Sequence, residues 1–469
     1  MLFTSLPYTT SPVAINENGA RLSQERVEAL SFQIAGVSGV QKALAFCLCS
    51  NTLSCLAGYI ALVRNGIVPI MLDARKDAGL LSEFCKHYRP SFIWCPVEKC
   101  SLFDKYIHVF DMDGYCFLKT AEEFISDIHP DLALLLTTSG STGSPKLVRL
   151  SYENLRSNAE SIAQYLDITS EERPITSLPM YYSYGLSVIN SHLIKGATLL
   201  LTDKPVIQKE FWTFAKEQKA TSLAGVPYTY EMLRRLRIFK MDLPYLKTMT
   251  QAGGKLNAKI AEEYIRNAKE CGKRFIVMYG QTEATARMSY LPWECAEEKY
   301  ASIGIAIPGG RFSLTDANGN EISEADVDGE LVYEGANVSL GYAECIADLA
   351  KGDENHGILH TGDVARRDAD GYYYITGRLK RFVKVWGNRC NLDATEQLVK
   401  AITTNCACAG VDDKITVFVT EEGLEAQIKN YLSEKMGLNP RAFAVKVIDT
   451  IPKNTSGKIL YSELQKMLD

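Results

Sequence analysis

The sequence predicts an α/β protein. A large N-terminal part carries mixed and mostly parallel sheets with helices, a β-rich subdomain follows, and a small α+β domain closes the chain. Three observations carry this reading. From about residue 40 to 300, short apolar runs alternate with helical patterns, as βαβ units require. From about 300 to 376, short strands are punctuated by turns such as Pro308-Gly309-Gly310, Ala317-Asn318-Gly319 and Asp370-Gly371. Beyond Gly377, a basic stretch from Arg378 to Lys384 precedes a return to compact α+β patterning. These changes of texture set a large domain at 1–376, with its β-rich subdomain at about 300–376, and a small domain at 377–469.

The elements follow in order. Ala43 to Leu48 reads as a buried strand, Cys55 to Arg64 as a helix and Val68 to Leu72 as the next strand. Further apolar strands are expected at Leu132 to Leu136, Thr198 to Leu201 and Phe275 to Met278. Helices are expected at Glu153 to Tyr165, Lys209 to Gln218 and Asn257 to Cys271. No internal repeat or low-complexity segment interrupts the series.

Composition narrows the function classes. With 469 residues, 46% of them hydrophobic, the chain can bury more than one core. Its net charge of −5 gives no basic footprint for nucleic acid. Met1 to Pro7 lacks the basic and apolar regions of a signal peptide, and Arg64 interrupts the apolar run from Ala57 to Ile70 before it could span a bilayer. A cytoplasmic protein without membrane insertion is the expectation. The thirteen cysteines are scattered without zinc or Cys-x-x-Cys spacing, and are expected to be reduced, mostly buried thiols.

The most informative segment is Thr137-Thr138-Ser139-Gly140-Ser141-Thr142-Gly143-Ser144-Pro145-Lys146, delivered by the strand at Leu132 to Leu136 and followed by a helix start at Ser151-Tyr152-Glu153-Asn154. Glycines let successive backbone N–H groups point at one spot, hydroxyls add donors and the lysine adds charge, so this loop suits triphosphate oxygens. It does not match the Walker pattern. Taken alone, a plain flexible surface loop is the alternative.

The run from Thr138 to Lys146 resembles the phosphate loop of the adenylate-forming (AMP-binding) superfamily, which includes acyl-CoA synthetases, adenylation domains of nonribosomal peptide synthetases, and luciferases. Further segments in the same order extend the resemblance from about residue 40 to the C-terminus. Tyr279-Gly280-Gln281-Thr282-Glu283 is similar to the superfamily's Tyr-Gly-x-Thr-Glu motif. By that resemblance Tyr279 stacks on adenine, Thr282 contacts the α-phosphate and Glu283 binds Mg²⁺, a hard cation that neutralises charge on a polyanion under attack. Gly253 and Gly254 resemble the small-residue turn beside adenine and the acyl group. Asp363, within His360-Thr361-Gly362-Asp363, and Arg378 resemble the ribose-binding pair. Lys380 matches the hinge about which a mobile C-terminal domain rotates, and Lys384, Trp386 and Gly387 the thiol-facing region. Asn391 and Ala394 stand where acidic residues are usual, while Glu396 remains. Lys458, in Pro452-Lys453-Asn454-Thr455-Ser456-Gly457-Lys458, matches the catalytic lysine that bridges the carboxylate and the α-phosphate.

The resemblance implies ATP-dependent activation of a carboxylic acid to acyl-AMP, with Mg²⁺, and then transfer to the thiol of CoA or of a carrier protein's phosphopantetheine. The acyl pocket falls at Tyr182, Ser183, Tyr184 and Gly185. No Asp or Glu lies between Arg173 and Lys195 to take an α-ammonium, which points to a non-amino acid, whether aryl, fatty or modified. Tyr182 replaces the histidine common in acyl-CoA synthetases. The tyrosines either line a medium pocket or pack as aromatics with one polar tip. Three functions stay in play: an acyl-CoA-type ligase, a stand-alone enzyme loading a carrier protein, and a nucleotide-binding protein without catalysis. Thr282, Glu283 and Lys458 together argue against the last.

Overall fold

Leu53–Arg64 is apolar around its whole circumference, and a helix of that kind is stable only when covered on every side. In the computed structural model every residue from Ser54 to Val63 is buried. The structure describes residues 7, 10–39, 42–121, 127–137, 146–386, 388–453 and 459–468, and of Lys380 and Arg389 the backbone alone. These residues form two compact units, Met1–Arg311 with Tyr333–Leu359, and Phe312–Val332 with His360–Asp469. The boundary at 376/377 expected from sequence texture falls inside the second unit.

The first unit holds two large sheets. One runs in the order Gly341–Ala343, Leu147–Ser151, Leu132–Thr137, Ile67–Asp73, Ala43–Cys49, Phe92–Pro96, Tyr115–Thr120, Tyr106–Met112. Its central strands are parallel and both margins antiparallel. The other is parallel from Arg274–Tyr279 through Thr248–Gln251, Ser222–Gly225, Pro174–Ile175 and Leu199–Leu201 to Ala14–Asn16. The expected strands and helices fall within a few residues of these bounds, and the mixed, mostly parallel arrangement is as predicted. The second unit carries only parts of the strand-and-turn segment, Phe312–Val332 and the residues from His360 on, together with the α+β C-terminal part, in which Cys406–Val411, Lys414–Val419 and Phe443–Val447 form a sheet.

The helix start expected at Ser151 to Asn154 is in place, but a strand not foreseen precedes it, and one expectation about the cysteines is corrected. Leu147–Ser151 is a buried strand, antiparallel to Leu132–Thr137 and also paired to Gly341–Ala343, and only then does Ser151 cap the helix Tyr152–Tyr165. The cysteines are not all thiols. The turn Val97–Leu102 folds back on Tyr115–Thr120, and Cys100 and Cys116 are joined in a disulfide, with Cys95 Sγ 3.5 Å from Cys116 Sγ. The other eleven are free, and most of those are buried.

Arg149, inside that unexpected strand, is fully buried. Its guanidinium donates to the carbonyls of Tyr342 (3.0 Å), Leu340 (2.7 Å) and Gly352 (3.1 Å), and to Glu354 Oε2 (2.6 Å). A buried cation is tolerated only when its donors are met in this way. Arg149→Met leaves those carbonyls without a donor, and is expected to lower unfolding stability by about 3–5 kcal/mol, read as a shifted urea midpoint. An unchanged midpoint would contradict the structural role.

Candidate active site

The candidate loop is held at both ends by strand pairing, with Thr137 opposite Leu147. Thr138, Ser139, Gly140, Ser141, Thr142 and Gly143 lie outside the described residues. Lys146 is described. Its Nζ lies 3.9 Å from the centroid of the Tyr342 ring and 3.8 Å from Glu344 Oε1. The Tyr342 hydroxyl in turn donates to Glu283 Oε1 at 2.8 Å. Burial, and then the Glu283 charge, push the Tyr342 phenol upward, so it remains a proton donor. One tyrosine thus joins the lysine that ends the loop to the carboxylate expected to hold a metal. Sequence reasoning missed Tyr342. Its place follows from register, Tyr342 opposite Val148, and no motif surrounds it.

Glu283 lies on a short 3-10 turn, Thr282–Ala284, after the strand Arg274–Tyr279. Gly280 separates the two, and a Cβ there would lie 1.7 Å from the Ala286 carbonyl oxygen, so a glycine is required by packing. Thr285 and Ala286 follow at φ 56° and 97°, a conformation that costs energy for residues with side chains. The Thr285 hydroxyl secures it by donating to Asn337 O at 2.7 Å. Tyr279 is half-buried, and its hydroxyl accepts from Gln281 Nε2 at 3.2 Å. The Glu283 carboxylate is half-buried too. Its one side-chain hydrogen bond among the described residues is the one it accepts from the Tyr342 hydroxyl at Oε1, which leaves Oε2 for a hard cation. The donor chemistry fits Mg²⁺.

The expected acyl side meets Thr282 directly. Ser183 Oγ lies 3.0 Å from Thr282 Oγ1, at the first residue of the helix Ser183–Leu193. Tyr182 precedes this helix, and Gly185 lies buried in its first turn. Gly253 has φ 80°, and a Cβ on it would come within 2.5 Å of the Tyr182 hydroxyl, so Tyr182 packs directly on the Gly253-Gly254 turn. Burial pushes the Tyr182 phenol up to about 12. The two readings of the tyrosines now separate. Tyr184 is a packing residue whose hydroxyl donates to Thr250 O at 2.8 Å, the Tyr181 hydroxyl accepts from Arg75, and Tyr182 alone sits at the turn.

Behind this group, Val188, His192, Ala224, Thr250 and Arg287 border a narrow cavity. His192 Nδ1 lies 2.7 Å from Val188 O. Burial holds the imidazole down to about 4, the Val188 carbonyl opposing and the Arg287 charge assisting. Since its folded pKa lies below the ordinary value near 6.5, the unfolded chain takes up the proton first as pH falls. The stabilisation is complete above pH 6.5 and about 3 kcal/mol of it is lost by pH 4. His192→Gln is expected to flatten the stability–pH curve across that window in calorimetric melts. An unaltered slope would contradict a buried neutral histidine.

In the second unit, Asp363 and Arg378 face each other across paired strands, and Arg378 Nε donates to Asp363 Oδ1 at 2.8 Å. Lys384 is exposed on Phe382–Val385. Gly387 and Lys458 lie outside the described residues, as does the Lys380 side chain. On the expected acceptor side, Asn391 and Glu396 have partners within the C-terminal part. Asn391 is a helix cap that accepts from Asp393 N and Ala394 N. Glu396 is buried, accepting from Cys408 N and Tyr461 and lying near Arg381 and Lys400. Arg381 is itself buried, bound to Asp393 and stacked 3.6 Å above the Tyr461 ring. Both therefore anchor the C-terminal fold.

Known proteins are similar to this chain in sequence and in architecture. Feruloyl-CoA synthase from Amycolatopsis is 28% identical over 352 residues, 72% of this chain and 70% of the relative. The 2-succinylbenzoate–CoA ligase of Enterococcus faecalis is 27% identical over 346 residues, 70% of this chain and 68% of the relative. ATP-bound MatB from Rhodopseudomonas palustris superposes with a TM-score of 0.81 at 24% identity, covering 99% of this chain and 97% of that one. The o-succinylbenzoate CoA synthetase of Bacillus subtilis, in complex with ATP and magnesium, gives 0.78 at 20% identity, covering 97% of both chains. The AMP-binding enzyme profile matches residues 14–343. With Thr282 and Glu283 placed beside Ser183 and Tyr342, and with this match over most of its length, the chain belongs to the AMP-binding enzyme family.

Proposed function

We propose that this protein is an AMP-forming acid–CoA ligase acting on a non-amino carboxylic acid. The observation that carries the reading is the chain of contacts from Lys146 through Tyr342 to Glu283, next in sequence to Thr282, whose hydroxyl meets Ser183. A cation, a metal-competent carboxylate and a pair of hydroxyls are what the α-phosphate of ATP needs beside an incoming carboxylate. Relatives named for feruloyl, 2-succinylbenzoate and oxalate substrates all carry CoA in their names, which favours CoA over a carrier protein as the acceptor.

In the first half-reaction a carboxylate oxygen of the acid bonds to the α-phosphorus. The bond from that phosphorus to the bridging oxygen breaks, and its electron pair leaves on pyrophosphate. Thr282, oriented by Ser183, donates to an α-phosphate oxygen, and Lys146 offsets charge at the triphosphate end. Glu283 would hold Mg²⁺, which supplies charge neutralisation when bound; Tyr342 orients that carboxylate. Lys458 would bridge the attacking oxygen and the α-phosphate. In the second half-reaction the CoA sulfur bonds to the acyl carbon, the bond to AMP breaks, and the thiol proton passes to solvent. By the family resemblance Asp363 and Arg378 would take the ribose, and Gly253, Gly254 and Tyr279 the adenine. By the family resemblance Lys380 would be the hinge, and Lys384 and Gly387 would belong to the thiol side.

ATP–pyrophosphate exchange across a panel of acids, repeated with CoA and with a holo carrier protein, tests the reading; silence with every acid would end it. Lys458→Ala is expected to lower exchange by about 100- to 1,000-fold, and wild-type rates would remove this lysine from the chemistry. Tyr342→Phe is expected to raise the Mg²⁺ concentration for half-maximal exchange by about 10-fold. An unmoved Mg²⁺ curve would separate Tyr342 from the metal.

A further inference from the structure

Arg287 stands four residues beyond Glu283, and only 2% of its surface is exposed. Its Nε donates to Ser187 Oγ at 3.2 Å, and its Nη1 to the Tyr165 hydroxyl at 3.1 Å and towards Met278 Sδ at 3.0 Å. The guanidinium carbon lies 4.7 Å from the centroid of the Tyr184 ring. Every one of these partners is neutral. Among the described residues no carboxylate lies within ion-pair distance of Arg287, and its Nη2 has no acceptor. Arg149, the other fully buried arginine, is saturated by carbonyls and Glu354, so the contrast lies within one unit. A buried cation without a counter-charge is costly, and it is retained where an anion arrives.

Its position says which anion. Arg287 borders the cavity lined by Val188, Ala224 and Thr250. It is held by Ser187, which lies on the same face of the helix Ser183–Leu193 as Ser183, one turn further on, a rise of about 6 Å. Ser183 is the residue paired with Thr282. The guanidinium therefore lies about one helical turn past the point at which the reacting carboxylate meets the α-phosphate, along the wall expected to contact the acyl chain. The cavity's own acid, Glu172, takes the Thr221 hydroxyl.

We propose that Arg287 binds a second carboxylate on the acid, so that the protein selects dicarboxylic over monocarboxylic substrates. This rests on the ligase reading above. A guanidinium with an open edge matches a planar carboxylate with charge-assisted hydrogen bonds, while a methyl group in its place would leave the cation unpaired.

The test measures ATP–pyrophosphate exchange on length-matched pairs: succinate against butyrate, glutarate against valerate, and isophthalate against benzoate. The wild-type protein is expected to favour the diacid in at least one pair by 10-fold or more in kcat/KM. Arg287→Met, close in length but uncharged, is expected to lower that diacid's kcat/KM on the order of 100-fold and to reverse the ranking within the pair. Arg287→Lys keeps charge without the planar fork, and is expected to fall between the two. Exchange with the monoacids favoured in every pair would overturn the proposal and leave the ligase reading standing. Equal losses on both members of a pair in Arg287→Met would also overturn it, assigning Arg287 to the fold. Exchange with no acid at all would overturn the ligase reading itself. The wild-type comparison needs no variant to fold.

Discussion

A guanidinium buried at the margin of the eight-stranded sheet ties together the segments on which the charged side of the site depends. Arg149 belongs to the strand that leaves the candidate phosphate loop, and its donors reach the backbone of Leu340, Tyr342 and Gly352. The short strand Gly341–Ala343 would otherwise be an edge with little to define its register. Held there, it presents the Tyr342 ring to Lys146 and the Tyr342 hydroxyl to Glu283. Charge handling in this protein thus rests on a cation that never meets solvent.

The opposite flank is set by small residues and by torsion. Gly280 lets the end of the strand Arg274–Tyr279 pass against Ala286, and the positive φ values of Thr285 and Ala286 turn the chain sharply enough to bring Thr282 beside Ser183. That turn continues into Arg287, which points back at the helix carrying Ser183. A single reversal therefore supplies both the Thr282 hydroxyl and the Arg287 guanidinium to the one helix Ser183–Leu193. Strain held by neighbouring hydrogen bonds at a functional turn is a common economy of folds.

Much of this was legible in the sequence, for definite reasons. Apolar runs such as Ala43–Cys49 and Leu132–Thr137 are buried on both faces, so they stand out without any alternation. The Tyr279-to-Glu283 segment also carries its chemistry in consecutive residues. Leu147–Ser151 was hidden because Arg149 breaks its apolar text, and only the structure shows that arginine facing a cluster of carbonyls. Tyr342 and Arg287 gain their meaning from partners some 60 to 200 residues distant, or from a helix face, which no local pattern encodes. Glu396 and Arg381 are committed to Tyr461, Asp393 and Cys408, partners that no local pattern names. The Cys100–Cys116 disulfide depends on a turn folding back over a strand, and spacing alone does not disclose it.

The central claim is that an acid's carboxylate attacks the α-phosphorus of ATP. The most direct test supplies the acid with both carboxylate oxygens as oxygen-18, runs the reaction to thioester with CoA, and weighs AMP and pyrophosphate by mass spectrometry. The account predicts one heavy oxygen in AMP and none in pyrophosphate. Heavy oxygen in pyrophosphate or in inorganic phosphate, or thioester formed with unlabelled AMP, would contradict it.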